Sequence, residues 1–333
     1  MKKLMLAIAV TALSVSAAQA APTVYGKAFL TLDVNSEDTD TTDKATNKTI
    51  SSDKKTRPAL KSNSSRIGFK GKEALTANTD IVYQLEYGID IANGDKSQQF
   101  KSRDTYLGLA NTQLGTLKAG RLTAIDDAVD FANVTAGGVR GGDKVYAPAL
   151  GRADNAFAYA SPNYDGMQLL AMYALDEDKT GGEISGIAGK YEPADQPFKA
   201  GASYIHRASA AKGTIKDAIR VSGAFAVSPE ITVGALYQVT DYDRDDKENG
   251  FTISGTMKTG TPWTAYAQGD MLSNVKGAKD ADKFRVAVGG KYAFNKATTG
   301  HVYGAFNKDE KETAATKTET TGFGIGGGLE YKF

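Results

Sequence analysis

Hydrophobic and polar positions alternate with a period of two along most of the chain. The clearest run covers residues 81–90, where odd positions are apolar or aromatic and even positions are mostly polar or small. This alternation predicts strands that each have one apolar face. Similar runs recur at 25–33, 66–72, 166–175, 199–205, 231–240, 264–271, 284–294 and 302–306. Each run has the length of a tilted membrane strand, about 9 to 11 residues, or forms the core of one.

The connections between these runs alternate between short and long. The short ones contain turn residues and lie at 74–79, 111–115, 163–166, 192–197, 228–230, 259–262 and 295–298. The long ones are polar and charged and lie at 35–63, 93–101, 122–153, 176–183, 208–217, 241–250, 272–282 and 309–320. Eight long and seven short connections predict sixteen antiparallel strands, in the pattern of outer-membrane barrels with short turns on one side and long loops on the other.

A soluble β-sandwich would also show alternation, but its apolar faces would meet in a common core. Here we expect an aromatic belt near the strand ends, because the ring of a tyrosine suits the apolar zone and its hydroxyl suits water. The residues assigned to this belt are Tyr25, Phe69, Tyr87, Tyr106, Tyr173, Tyr237, Tyr292 and Tyr331. We therefore predict an all-β, transmembrane antiparallel barrel, whose last strand must pair with its first to leave no open edge in hydrocarbon.

The ends and the composition support export. Lys2 and Lys3, an apolar stretch at 4–15 and the small-residue site at 18–20 predict a signal peptide over residues 1–20, followed by one barrel domain over 21–333. The chain has no cysteine, so we expect neither disulfides nor thiolate metal sites. Lys and Arg total 40 against 39 acids, and removal of Lys2 and Lys3 leaves 38 against 39. This balance predicts no nucleic-acid partner and a weak ion preference.

Five segments in order resemble the trimeric general porins of Gram-negative outer membranes, and the resemblance extends over the mature length. They are VYGK at 24–27, SRIGFKG at 65–71, RDTYLGL at 103–109, LKAGR at 117–121 and the terminal YKF at 331–333. The resemblance implies a homotrimer that diffuses ions and small hydrophilic solutes through a water-filled lumen, without a cofactor. It also implies contact with outer-membrane lipid and lipopolysaccharide, and recognition by the barrel-assembly machinery, for which Tyr331 and Phe333 would form the signal.

The same resemblance implies that the third long loop, residues 122–153, folds inward and narrows the pore. Acidic residues of this loop would face basic residues of the wall. Carried over by position, the wall residues are Lys27, Arg66, Arg103 and Arg152, with Lys70 and Arg121 as additions. The loop acids would come from Asp126, Asp127 and Asp130, although the first two could instead begin a short helix.

Strand parity supports part of this assignment independently. Arg66, Lys70 and Lys72 share one face of their strand, and Ile67 and Phe69 share the other. The charges therefore line water only if the apolar pair faces lipid, since an arginine facing lipid at the midplane costs about 2 to 4 kcal/mol. In the run 103–109, Arg103, Thr105 and Leu107 fall on one side, so a bulge or the strand end must shift the phase there.

Other motifs in the chain predict little chemistry. Gly322, Gly324 and Gly327 match a dinucleotide fingerprint, but no strand-to-helix unit surrounds them. Asp241, Asp243 and Asp245 resemble the start of a calcium loop, but the glycine and glutamate of that loop are missing, so we expect no metal site. A passive channel is the leading interpretation, ahead of a channel selective for one nutrient class and an outer-membrane barrel enzyme; we expect no catalysis.

Overall fold

In the computed structural model, residues 21–94, 99–138, 150–177, 182–209 and 212–333 are described. The expected signal peptide, residues 1–20, lies outside them. The described residues form one sheet of seventeen strand segments, all of whose pairings are antiparallel. They are β1 (Thr23–Asp43), β2 (Lys48–Ser62), β3 (Arg66–Thr76), β4 (Thr79–Gly88), β5 (Lys101–Asn111), β6 (Gly115–Thr123), β7 (Arg152–Ala160), β8 (Met167–Ala174), β9 (Ile184–Tyr191), β10 (Phe198–Arg207), β11 (Asp217–Ala226), β12 (Ile231–Asp241), β13 (Glu248–Lys258), β14 (Trp263–Ser273), β15 (Ala281–Ala293), β16 (Thr298–Glu312) and β17 (Thr316–Lys332).

The sheet closes on itself through β1, which pairs with β17 on one side and with β2 and β3 on the other. The upper part of β1 pairs with β2 and its first residues pair with β3, so β2 and β3 are two parts of one barrel strand. Ser64, with φ of 52°, interrupts this strand, and the Ser65 hydroxyl accepts a hydrogen bond from the Phe29 amide at 3.0 Å. The predicted closed barrel of sixteen antiparallel strands is confirmed.

Two of the predicted long loops are instead hairpins. The segment assigned to the loop 35–63 continues β1 to Asp43, turns at 44–47 and returns as β2. The segment 309–320 extends β16 and β17, which turn at 313–315. Threonine pairs such as Thr39 with Thr320, at 3.0 Å between hydroxyls, join the two hairpins. The prediction was wrong here because both faces of these strands are polar, so paired strands carry no apolar alternation.

The two faces of the barrel differ in the predicted way. Outward positions carry large apolar side chains that remain exposed, such as Leu107 and Ile253, while inward positions carry polar residues such as Gln238 and Thr252. Most of the predicted aromatic belt lies outside, where Tyr292 packs against Trp263 with ring centroids 5.1 Å apart. Within the described residues, no helix has the length and hydrophobicity needed to cross a bilayer.

Two residues assigned to the belt, Tyr25 and Tyr106, lie on the inward side instead. Tyr25 donates a hydrogen bond to the inward-facing Glu86 at 3.0 Å, and Lys118 lies over the ring of Tyr106 at 4.5 Å. The belt assignment considered only residue type and nearness to a strand end. The alternation within each strand, which places Tyr25 on the side of Lys27, gives the correct side.

The carboxy-terminal residue completes the closure. The Gly26 amide donates to the Phe333 carbonyl at 2.8 Å, and the Phe333 amide donates to the Gly26 carbonyl at 3.2 Å. The Phe333 ring lies directly over Gly26. A Cβ atom on residue 26 would be only 2.3 Å from the Cζ atom of Phe333. Tyr331 stacks beside it, with ring centroids 6.1 Å apart. The terminal aromatic residue is thus a packed part of the seam between the first and last strands.

Candidate pore constriction

The third loop packs against the inner wall of the barrel. It leaves β6 after Thr123 and begins with a 3-10 helix, Ile125–Val129, whose apolar side chains meet the inward faces of β8–β11. The resulting buried cluster consists of Leu122, Ala124, Ile125, Val129, Ala153, Ala156, Met172, Ala174, Ile184, Ala188, Ile205 and Ala218. A small hydrophobic core therefore lies inside the barrel and fixes this part of the loop.

Inward-facing glycines make room for the loop. A Cβ at Gly201 would lie 2.8 Å from Cγ1 of Val129, and one at Gly186 would lie 3.1 Å from Cδ1 of Ile125. A Cβ at Gly234 would lie 2.8 Å from the Phe131 carbonyl oxygen. Contacts this close leave no space for a side chain at these wall positions, so the wall is shaped to fit the loop.

Polar side chains of the wall satisfy the backbone of the loop. The Arg220 guanidinium donates to the Asp126 carbonyl at 3.1 Å. Further along, the Phe131 amide donates to the Ser222 hydroxyl at 2.9 Å, and the Val134 amide donates to the Gln268 side-chain oxygen at 3.0 Å. The loop thus runs from β6 along the inner wall past β11 and β14, and wall side chains bind its backbone at Asp126, Phe131 and Val134.

Across the lumen, the predicted arginines meet at one carboxylate. Glu86, which is buried, accepts from the Arg103 Nε at 2.5 Å and from Tyr25, and its Oε2 lies 3.3 Å from the Arg66 Nε. The pairing of β4 with β5 shifts register here, so that Arg103 and Asp104 both lie opposite Glu86. This is the predicted bulge, and it brings Arg103 to the face shared by Arg66.

Two lysines of the same wall form no ion pair with the residues that the structure describes. Lys70 Nζ lies 5.0 Å from the ring centroid of Tyr25, and Lys118 Nζ lies 4.5 Å from that of Tyr106. A ring face stabilises an ammonium group but leaves its full positive charge in place. Lys70 was among the predicted wall residues, whereas Lys118 was not.

The other three predicted wall residues are placed differently. Lys27 lies opposite Arg66 in the sheet, with its Nζ 3.8 Å from Glu330, and Arg152 binds Asp104 at 2.6 Å. Arg121 lies on the outer face of β6, since its neighbour Leu122 is inward and buried. It bonds to Asp154 and to the Ser102 carbonyl in a shallow outer pocket. The assignment of Arg121 to the pore wall was therefore wrong, because strand parity points it away from the lumen.

The three loop acids also separate. Asp126 is buried against the wall, where Arg220 Nη2 lies 3.9 Å from its Oδ2 and the Leu150 amide donates to it at 3.1 Å. Asp130 accepts from the amides of Ala132 and Asn133 and so closes a local turn. Burial raises the pKa of the Asp126 and Asp130 carboxyls. Asp127 is exposed on the side of the helix opposite Ile125 and Val129.

Comparison with known proteins agrees with this geometry. The model of the Gram-negative porin family matches residues 5–327. The chain belongs to the Gram-negative porin family. The chain is 27% identical to the major outer membrane protein P.IB of Neisseria sicca over 372 aligned positions, covering 100% of both proteins. It is 24% identical to the P.IB protein of Neisseria lactamica, again over 100% of both.

Solved structures share the porin fold. The anion-selective porin from Comamonas acidovorans superposes with a TM-score of 0.68 at 19% identity, covering 94% of this chain and 99% of that one. The trimer form of the Vibrio cholerae outer membrane protein OmpT gives a TM-score of 0.64 at 19% identity, covering 94% and 100%. The porin is accordingly a passive diffusion channel of the outer membrane.

Sequence reasoning missed several residues of the porin lumen. Glu86 lies between Leu85 and Tyr87, and Lys118 lies between Leu117 and Ala119, so local alternation would have placed both inside. Arg220 and Asp104 acquire their roles from the loop and from the ends of β5–β7, which no local pattern reveals. Among residues 21–94, 99–138, 150–177, 182–209 and 212–333, no three His, Asp or Glu side chains are grouped to hold a metal.

Proposed function

We propose that solutes cross this porin between the third loop and the wall formed by β1 and β3–β6, and that the loop 122–153 narrows this passage. The observation that carries the proposal is the placement of the loop: its described part contacts β8–β11, β14 and β16 and reaches β1 and β2 at Gly138, while Glu86 is surrounded by Tyr25, Arg66 and Arg103. Diffusion needs no catalytic group, and the porin acts without an enzymatic step or a cofactor.

The charge on the two sides of the passage supports a preference for anions. Arg66 and Arg103 share the single carboxylate of Glu86, and Lys70 and Lys118 add positive charge over aromatic rings. On the loop side, burial withdraws Asp126 from water and leaves Asp127 as the exposed acid of the helix. Facing sets of charge in a narrow passage bias ion choice. The charges on the wall therefore favour a stronger ion preference than the weak one predicted from the charge balance of the whole chain.

The porin is further proposed to assemble as a homotrimer in contact with outer-membrane lipid and lipopolysaccharide, after export and insertion by the barrel-assembly machinery. The trimer form recorded for the Vibrio cholerae protein supports this stoichiometry. The exposed apolar outer face supports the contact with lipid, since such a surface is stable only against hydrocarbon or another protein.

Modification of a single cysteine tests the passage, because the natural chain has none. Asp127→Cys should respond to charged methanethiosulfonate reagents in planar bilayers: a cationic reagent should raise the anion-to-cation permeability ratio and an anionic reagent should lower it. One charge about 4 Å from a passing ion changes the energy of that ion by about 1 kcal/mol in water. This energy corresponds to a change of up to about fivefold in the permeability ratio.

The matched control is Asp154→Cys, because Asp154 is an exposed aspartate on the outer face of the barrel beside Arg121. Its modification should leave the reversal potential unchanged. Equal responses at positions 127 and 154, or none at 127 despite complete labelling, would contradict the proposed passage.

A further inference from the structure

The third loop has a second anchor, at the end of its described part. The Gly138 amide donates to the Tyr303 hydroxyl at 3.2 Å, and the Gly138 carbonyl accepts from Lys61 Nζ at 3.0 Å. The Tyr303 hydroxyl in turn donates to Asp33 Oδ1 at 2.7 Å. We call Asp33, Lys61 and Tyr303 the distal anchor. These residues come from β1, β2 and β16, so they lie on both sides of the seam between β1 and β17, whereas the 3-10 helix contacts β8–β11.

The distal anchor fits a loop without side chains. Gly137 has a φ of 92°, a conformation that favours glycine, and a Cβ there would lie 2.2 Å from the Tyr303 ring. A Cβ at Gly138 would lie 2.5 Å from Asp33 Oδ2. The two glycines therefore let the backbone approach the wall closely enough for both peptide groups of Gly138 to be bound.

Each group of the anchor is held in turn by the barrel. Asp33 is fully buried, and its second oxygen accepts from the Thr31 hydroxyl at 3.3 Å. The Tyr303 ring packs in a buried cluster with Tyr266, Ala287 and Ala305, against which Val134 of the loop also packs. Hydrogen bonds to a buried carboxylate through a fixed tyrosine are stronger than bonds on an exposed surface. The anchor is thus a rigid receptor for the middle of the loop, at Gly137 and Gly138.

We propose that Asp33, Lys61 and Tyr303 are positioning residues that fix the middle of the third loop at Gly138 and thereby set the width and steadiness of the open pore. This inference rests on the proposed function, in which the loop narrows the passage. The anchor is distinct from the Arg220 contact, which fixes the helical end of the loop. Asp33 and Lys61 also lie at the base of the long β1–β2 hairpin, so the anchor joins that hairpin to the pore loop.

The test compares Tyr303→Phe and Lys61→Met with the wild-type porin in single-channel recordings and in liposome swelling with sugars of increasing size. Tyr303→Phe keeps the ring against Gly137 but removes both hydrogen bonds of the hydroxyl. Loss of these bonds should raise the ratio of the released to the held state of the Gly137–Gly138 segment roughly tenfold. We expect more frequent steps between conductance levels and faster entry of large sugars relative to small ones.

Two matched variants separate positioning from general stability. Lys61→Arg keeps a cationic donor and should behave as the wild type. Tyr237→Phe removes a hydroxyl that binds Asn249 on the outer face of the barrel, opposite to the face that the loop contacts, and should change neither readout. Heat resistance of the folded barrel should be the same in all variants. If Tyr303→Phe does not assemble, Lys61→Met alone decides the outcome.

Unchanged noise and size exclusion in both Tyr303→Phe and Lys61→Met would overturn the anchor. Its failure is distinguishable from failure of the proposed function through the labelled Asp127→Cys porin. If labelling at 127 alters the current while the anchor variants do not, the loop narrows the pore without depending on the distal anchor. If labelling at 127 is also silent, the proposed passage itself is wrong.

Discussion

Replacing both Arg66 and Arg103 with glutamine should shift the proposed anion preference of the pore strongly toward cations. The two guanidinium groups share Glu86, so their loss removes two positive charges and leaves one negative charge without its partners. The net charge of the group formed by Arg66, Arg103 and Glu86 changes from positive to negative, while Lys70 and Lys118 keep their positive charges. In water, one charge close to the ion path changes the permeability ratio by up to about fivefold. The loss of two charges should therefore shift this ratio by about tenfold or more. Reversal potentials under a salt gradient measure this directly.

The triple variant with Glu86→Gln provides the control for that experiment. It removes the uncompensated carboxylate as well, so its selectivity should lie between those of the wild type and the double variant. The effect should weaken at high salt, because the Debye length falls from about 10 Å at 0.1 M to about 3 Å at 1 M. A reversal potential that is unaffected by the double substitution would place both arginines away from the ion path.

The two environments of the barrel wall, lipid outside and water inside, explain why much of this fold could be predicted from the sequence. Consecutive residues of a barrel strand face hydrocarbon and water in turn, so apolar and polar residues alternate. The run 81–90 shows this clearly because one face of β4 meets lipid and the other meets the lumen. The same rule placed Arg66 and Lys70 correctly on the lumen side. It also required a bulge at Arg103, which the register of β4 and β5 confirms.

The rule fails where a third element changes the environment of a strand. β8 carries Leu170, Met172 and Ala174 on its inward face, because the third loop packs there and excludes water. Apolar residues then occupy both faces, and the alternation becomes weak. The same cause explains why the roles of Asp126 and Asp127 could not be separated. The two residues are adjacent in sequence, but only Asp126 contacts Arg220, which lies more than ninety residues away in the chain.

The polar hairpins show the opposite limit of the same rule. Above the apolar band, both faces of β1, β2, β16 and β17 contain threonine and charged residues, so nothing in the polarity pattern distinguishes a strand from a loop. The structure shows paired backbones as far as Asp43 opposite Thr316 and Glu312 opposite Lys317. Threonine favours extended backbone, and this propensity was the available signal.

Deleting Phe333 should reduce the amount of heat-modifiable trimer in the outer membrane by about tenfold or more. The deletion removes the reciprocal backbone bonds with Gly26, each worth about 0.5–1.5 kcal/mol, and the aromatic ring that covers this glycine. The ring is about half exposed, at 54%, so its contact with Gly26 adds a smaller packing contribution. Because the bonds lie on the seam that closes the barrel, their loss weakens the contact between the first and last strands directly.

Two further variants divide this effect between packing and chain length. Phe333→Tyr keeps both the ring and the backbone bonds and should assemble almost normally, whereas Gly26→Leu retains Phe333 but puts a side chain where its ring lies. Gly26→Leu should therefore lose trimer like the deletion if the packed seam is what matters. A normal yield from Gly26→Leu together with a low yield from the deletion would instead assign the role to recognition of the terminal residue by the assembly machinery, since only the deletion removes that residue.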